Sequence, residues 1–160
     1  MATTTAPKLD SGQIGNPRSL ASIGGHPIHA ILVAFPIVCF VGAFIADVVY
    51  WRSMSFMWET FSVWLLAAGL VMAAFAVIFG LIDFVASRRI REFRSSWIHA
   101  VGSALVIVLS IINVFVHSRD GYTAVVPTGI ILSGLVVLIM IVTGWMGGEM
   151  VYRQRAGVID

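Results

Sequence analysis

Residues 61–86 read FSVWLLAAGLVMAAFAVIFGLIDFVA, with no charged side chain before Asp83. A helix needs about 20 apolar residues to cross the hydrocarbon core of a bilayer. A helix on the surface of a soluble protein would show a polar face, and this stretch shows none. It predicts a transmembrane helix, and the chain repeats the pattern. Three further runs qualify: about Ile28 to Trp51, about Trp97 to His117, and about Val125 to Gly148. Membrane strands are excluded, because they take about 9–11 residues and alternate polar with apolar. Pro36 predicts a kink in the first run, and Pro127 suits the first turn of the last.

Composition agrees. Of 160 residues, 59% are hydrophobic and 11% charged, whereas soluble domains carry about 25% charged residues. The formal net charge is +2. No basic stripe interleaved with aromatics lies outside the apolar runs, so a nucleic-acid partner is excluded. Cys39 is the single cysteine. It can close no disulfide within the chain and reads as a buried, inert thiol. Residues 1–25 are polar and rich in Gly, Ser and Thr, and lack the basic start and immediate apolar stretch of a secretory signal. They predict a mobile tail ahead of a membrane domain over 26–151, with a short second tail over 152–160.

Orientation follows from the basic residues. Lys8 and Arg18 precede the first span. Arg88, Arg89, Arg91 and Arg94 lie between the second and third, and Arg153 and Arg155 follow the fourth. Only Arg52 and Arg119 fall in the two opposite connections. The arginine-rich end is predicted to face the cytoplasm, giving a multi-pass protein of the cytoplasmic (inner) membrane with both termini inside. Trp51, Trp58, Trp64, Trp97 and Trp145 lie near span ends, as interface anchors do. Short connections make consecutive helices antiparallel neighbours. The fold class is all-α: four transmembrane helices in an antiparallel bundle.

The bundle reads as two related hairpins. Ile28-His29-Ala30 opens the first span and Ile98-His99-Ala100 the third, 70 residues later. Asp83 and Glu149, 66 residues apart, close the second and fourth, each after a glycine-bearing stretch. Topology puts His29, Asp83, His99 and Glu149 at one level near the arginine-rich end. His26 joins them if its turn is helical. Each acid sits at a helix C-terminus, where the dipole disfavours negative charge, so each is expected to find a histidine, an arginine or a metal.

Along the third span, His99, Ser103, Ser110, Asn113 and His117 fall within about 40° of one line. Asp47 and His117 each lie 18 residues past their hairpin's histidine, roughly 27 Å along the axis. Asp47, Asn113 and His117 therefore predict a second polar cluster at the outer end. Ionisable groups inside spans are costly unless they face the bundle interior and find partners. Gly69, Met72, Ala76 and Gly80 share the face of Asp83, which permits close helix contact or leaves room for a flat ligand.

Gly25-His26-Pro27-Ile28-His29 followed by Phe35-Pro36 resembles the opening of a family of bacterial predicted membrane proteins of undetermined function, whose signature is Gly-His-Pro-x-His-Pro. Gly80-Leu81-Ile82-Asp83, Trp97-Ile98-His99-Ala100 and Thr143-Gly144-Trp145-Met146-Gly147-Gly148-Glu149 resemble its later motifs. The resemblance covers residues 25–158. Ala30 stands where the signature has its second proline, and no histidine follows His117. The resemblance implies a four-span membrane protein and supplies no reaction.

Three functional readings stand side by side. In the first, His29 and His99 hold a b-type haem. Arg88, Arg89, Arg91 or Arg94 pair with its propionates, Trp97 or Trp145 packs on its edge, and electrons pass to a quinone or membrane redox partner. In the second, His26, His29, Asp83, His99 and Glu149 bind zinc or iron. In the third there is no cofactor: the polar groups pair with one another to set helix register, and the protein is an accessory or assembly subunit. Proton transport through Asp47, Asn113 and His117 would need a homo-oligomer. No Gly-x-Ser-x-Gly, phosphate-binding loop or His-Glu-x-x-His occurs, so the reading leans away from an enzyme.

Overall fold

A computed structural model describes residues 19–24, 26–119 and 125–153. Of the expected tails over 1–25 and 152–160, residues 1–18, 25 and 154–160 lie outside the described residues, as does the connection over 120–124. An antiparallel ribbon of β1 (Ser22–Ile23) and β2 (His26–Pro27) opens the chain, with Gly24 between them at φ +56°. Then follow α1 (Ile28–Leu32), α2 (Ala34–Ser53), α3 (Phe56–Ala86), α4 (Arg88–Glu92), α5 (Arg94–His117) and α6 (Thr128–Tyr152).

Four of these segments are long and apolar enough to cross a membrane: Ile28–Ser53, Phe56–Ala86, Arg94–His117 and Thr128–Tyr152. Each expected span is present, and the helices extend past half of the apolar limits. α3 starts five residues ahead of Phe61 and takes in Glu59, while α6 runs beyond Gly148 to Tyr152. A helix does not end where hydropathy does, because polar side chains at the interface tolerate helical backbone.

The kink expected at Pro36 appears one turn earlier, as a break at Val33 between α1 and α2. Proline has no N–H for the carbonyl four residues back, and its ring crowds that carbonyl, here Leu32. The bonds around the break persist, Val33 N to His29 O at 3.0 Å and Ile37 N to Val33 O at 3.4 Å. Pro127 caps α6 rather than entering it, and its carbonyl accepts from Ile131 N at 3.1 Å.

α2 packs against α3 and α6, and α5 packs against α6 and α3. The bundle is thus two antiparallel hairpins set side by side, with α2 and α5 across the diagonal. Its dry core is Phe40, Ala43, Leu66, Val106 and Val136. Large apolar side chains such as Phe35, Val38, Trp64, Phe75, Val101, Phe115 and Leu138 point outward, as expected of a body solvated by lipid.

Glycine sets how closely the helices meet. A Cβ on Gly69 of α3 would lie 2.6 Å from the Phe40 ring, and one on Gly102 of α5 would collide with the Thr143 methyl. The small residues of α3 are therefore filled by span-one side chains: Phe40 at Gly69, and His29 at Gly80.

Candidate functional site

The polar residues gather into two layers, one at each end of the bundle. At the arginine-rich end, His29 Nδ1 donates to Ala76 O at 2.7 Å, and His99 Nδ1 donates to Thr143 O at 2.9 Å. A carbonyl oxygen only accepts, so each Nδ1 carries the proton and each Nε2 is left as the basic nitrogen. The two rings stand 6.0 Å apart between centroids, at 89° to one another. Both are half-buried. Gly80 lies beneath His29 and Gly147 beneath His99: a Cβ there would meet the rings at 2.7 Å and 3.3 Å.

These contacts define the internal repeat more closely than the sequence did. His29 and His99 are 70 residues apart, whereas their partners, Ala76 with Thr143 and Gly80 with Gly147, are each 67 apart. In that register the counterpart of Asp83 is Met150, not Glu149. Met150 Sδ accepts a bond from Ser96 Oγ at 2.9 Å.

The acids do not join the histidines. Asp83 holds the segment ahead of α1: Oδ2 accepts from Ser19 Oγ at 2.6 Å, and Oδ1 accepts from Leu20 N at 2.8 Å and Ala21 N at 3.2 Å. Among the described residues Asp83 is held by a hydroxyl and two backbone amides rather than by the expected cation. Glu149 finds a cation within its own helix, Arg153 at 3.4 Å. His26 lies in β2, not on a helical turn, and is exposed. Among the described residues no group of three or more His, Cys, Asp or Glu side chains is placed to hold a metal ion. The five-residue set of His26, His29, Asp83, His99 and Glu149 is therefore not assembled.

Of the expected haem neighbours, Arg91 turns back on α3, where Nη1 donates to Phe84 O at 2.9 Å and also to Val85 O. That placement satisfies carbonyls at a helix end and complements its dipole. Arg88 is exposed at the start of α4. Trp97 donates from Nε1 to Arg91 O at 3.0 Å and meets Phe84 edge-on, at 5.2 Å between centroids. Trp145 is 75% exposed and faces away from the bundle, so it packs on no interior group.

The far end is denser. Asp47 Oδ1 accepts from Ser62 Oγ at 2.5 Å and His117 Nε2 at 2.9 Å, and Oδ2 accepts from Ser133 Oγ at 2.5 Å. Asn113 Nδ2 donates to Ser133 Oγ at 2.7 Å. His117 Nδ1 lies 2.9 Å from the Asn113 carbonyl. Both ring nitrogens therefore lie against oxygen atoms, Nδ1 against the Asn113 carbonyl and Nε2 against the Asp47 carboxyl group. Every one of these side chains is buried. All four long helices contribute: Asp47 from α2, Ser62 from α3, Asn113 and His117 from α5, and Ser133 from α6. Gly129 lets His117 seat, since a Cβ there would be 2.8 Å from its ring.

The expected trio of Asp47, Asn113 and His117 is thus brought together, and Ser62, Ser133 and Glu59 complete it. These three were missed because single serines in apolar runs carry little signal and Glu59 lies outside the expected span. The signal available was spacing: Ser62 and Gly129, which sit against Asp47 and His117, share the 67-residue register.

Four apolar helices enclosing a buried polar layer at one end and a half-buried histidine pair at the other define a membrane protein of the four-helix-bundle class. The chain belongs to the family described as predicted membrane protein (DUF2231), which matches residues 25–160. No curated protein and no solved structure matches it.

Proposed function

We propose that the protein binds a b-type haem between His29 and His99 and relays electrons within the membrane. The observation that carries this reading is the matched pair of imidazoles, each locked by a backbone carbonyl with Nε2 left basic. Metal-bound histidines are held in this way by their second nitrogen. Metal–imidazole bonds of about 2 Å, with each ring centre about 1 Å behind its nitrogen, put the two centroids roughly 6 Å apart. The observed separation is 6.0 Å.

A bare zinc or iron ion would need further ligands, and among the described residues none joins the pair. A macrocycle brings its own equatorial nitrogens, which favours haem over the non-haem alternative. When bound, the haem would supply one-electron redox chemistry. The chain's own part is to orient the imidazoles and to keep the site apolar. Exposed Arg88, at the arginine-rich end, would pair with the propionates, and by the positive-inside rule that end faces the cytoplasm. The electron partner on this reading is a lipid-soluble quinone or a membrane redox protein.

The test is a visible spectrum of protein purified in mild detergent after expression with haem precursor. A Soret band at one haem per chain is expected, lost in both His29→Ala and His99→Ala and kept in His117→Ala. A colourless protein overturns the reading, and stoichiometric zinc or iron in that protein would establish the non-haem site instead. A colourless, metal-free protein destabilised by His29→Ala would make the two histidines clamps between helices, as the bonds to Ala76 and Thr143 alone would allow.

A further inference from the structure

The far-end layer holds two buried acids, Asp47 and Glu59. Asp47 is paired with His117. Glu59, buried in the first turn of α3, has one weak bond among the described residues, to Oε2 from Thr60 Oγ1 at 3.5 Å, and its Oε1 has no partner among them. Among the described residues the ionisable groups around it are His117 from α5, Asp47 from α2 and Arg119 just beyond α5, while Ser133 of α6 bonds to Asp47. A second buried carboxylate beside one ion pair is costly, and a proton removes the cost.

Glu59 is not sealed off. With Thr60, Val63, Trp64, His117, Ser118 and Arg119 it lines a cavity of about 420 Å³. Two more buried polar atoms have no partner among the described residues, Asn113 Oδ1 and Ser110 Oγ. They lie one and two helical turns below His117 on the same face of α5. Buried polar atoms without protein partners are ordinarily satisfied by water. From His117 in the cavity wall, Asn113 and Ser110 thus continue one face of α5 towards mid-bundle. Beyond Ser110 the interior is closed by Phe40, Leu66, Val106 and Val136.

We propose that this end is a proton-binding half-channel. Water enters through the cavity, and Glu59 exchanges a proton with it. The hydrated file past His117, Asn113 and Ser110 carries exchange to mid-bundle, where the apolar layer stops it. The step is a proton equilibrium between the Glu59 carboxylate and water, with no electron moved. The layer therefore binds a proton from one face without leaking it to the other. This inference rests on the far-end atoms alone and is independent of haem.

The experiment is infrared difference spectroscopy on the full chain in liposomes, comparing acid with alkaline buffer in H2O and D2O. A protonated-carboxyl band that shifts in D2O is expected, absent from the isosteric variant Glu59→Gln and retained in Asp83→Asn. A band unaffected by Glu59→Gln, or no protonated carboxyl across the pH range, overturns the proposal. Proton flux is the second readout. Wild-type liposomes should leak no faster than protein-free ones, and Leu66→Ser, which wets the apolar layer, should raise flux several-fold. Flux through the wild-type protein, or a folded Leu66→Ser variant without added flux, refutes the closed half-channel. Should Leu66→Ser not fold, the Glu59→Gln spectrum decides.

Discussion

Replacing Asp47 with alanine should be the most damaging single truncation at the far end. The carboxylate has no solvent exposure and accepts hydrogen bonds from three other helices, at 2.5, 2.9 and 2.5 Å. Taken only as interhelical hydrogen bonds in a membrane protein, three at about 0.6 kcal/mol each total roughly 2 kcal/mol. Truncation also strips His117 of its counter-charge at 2% exposure. Removing one member of a buried pair costs about 3–5 kcal/mol. The two figures overlap, because both include the His117 contact, so a loss of about 3 kcal/mol is expected.

Unfolding by SDS titration in mixed micelles, followed by tryptophan fluorescence and circular dichroism, measures it. A cycle with His117→Leu isolates the pair, and the double variant should be less damaged than the sum by about 1–2 kcal/mol. Asp47→Asn, which keeps size and polarity, should lose less than Asp47→Ala. A cost for Asp47→Ala below about 1 kcal/mol, or additivity within about 0.5 kcal/mol, would refute a cooperative buried network.

Other outcomes follow from the same contacts. Gly69→Ala drives a Cβ to within 2.6 Å of the Phe40 ring and should cost about 1–3 kcal/mol by overpacking, whereas Gly144→Ala, with nothing within 4 Å, should be neutral or slightly stabilising in the same titration. Gly80→Ala should displace His29 from the Ala76 carbonyl; on the haem reading it lowers haem content more than Gly147→Ala, whose added methyl meets its ring at 3.3 Å rather than 2.7 Å. Asp83→Asn should release Leu20 and Ala21, seen as faster amide hydrogen exchange there with α3 to α6 unchanged; unchanged exchange at both amides would count against the clamp.

The sequence was informative about position along the membrane normal. Hydropathy located four spans, and counting residues from the ends placed His29 level with His99 and Asp47 level with His117. Both pairs are level in the structure, because helical rise converts residue number into depth with little error. Rotation was legible where a span carried a polar stripe, as in α5, whose Ser110, Asn113 and His117 turn inward; partnership was not. A helix that is apolar all round gives no signal for which face turns inward. That choice came from tertiary contacts such as Phe40 in the notch at Gly69 and Thr143 against Gly102. Asp83 and Glu149 looked equivalent at one depth. Packing shifted the repeat to a 67-residue register, gave Asp83 to the segment at 19–21 and left Glu149 to Arg153. Ser62, Ser133 and Glu59 became part of a site only when four helices met, since one polar group in an apolar run has meaning only through what it faces.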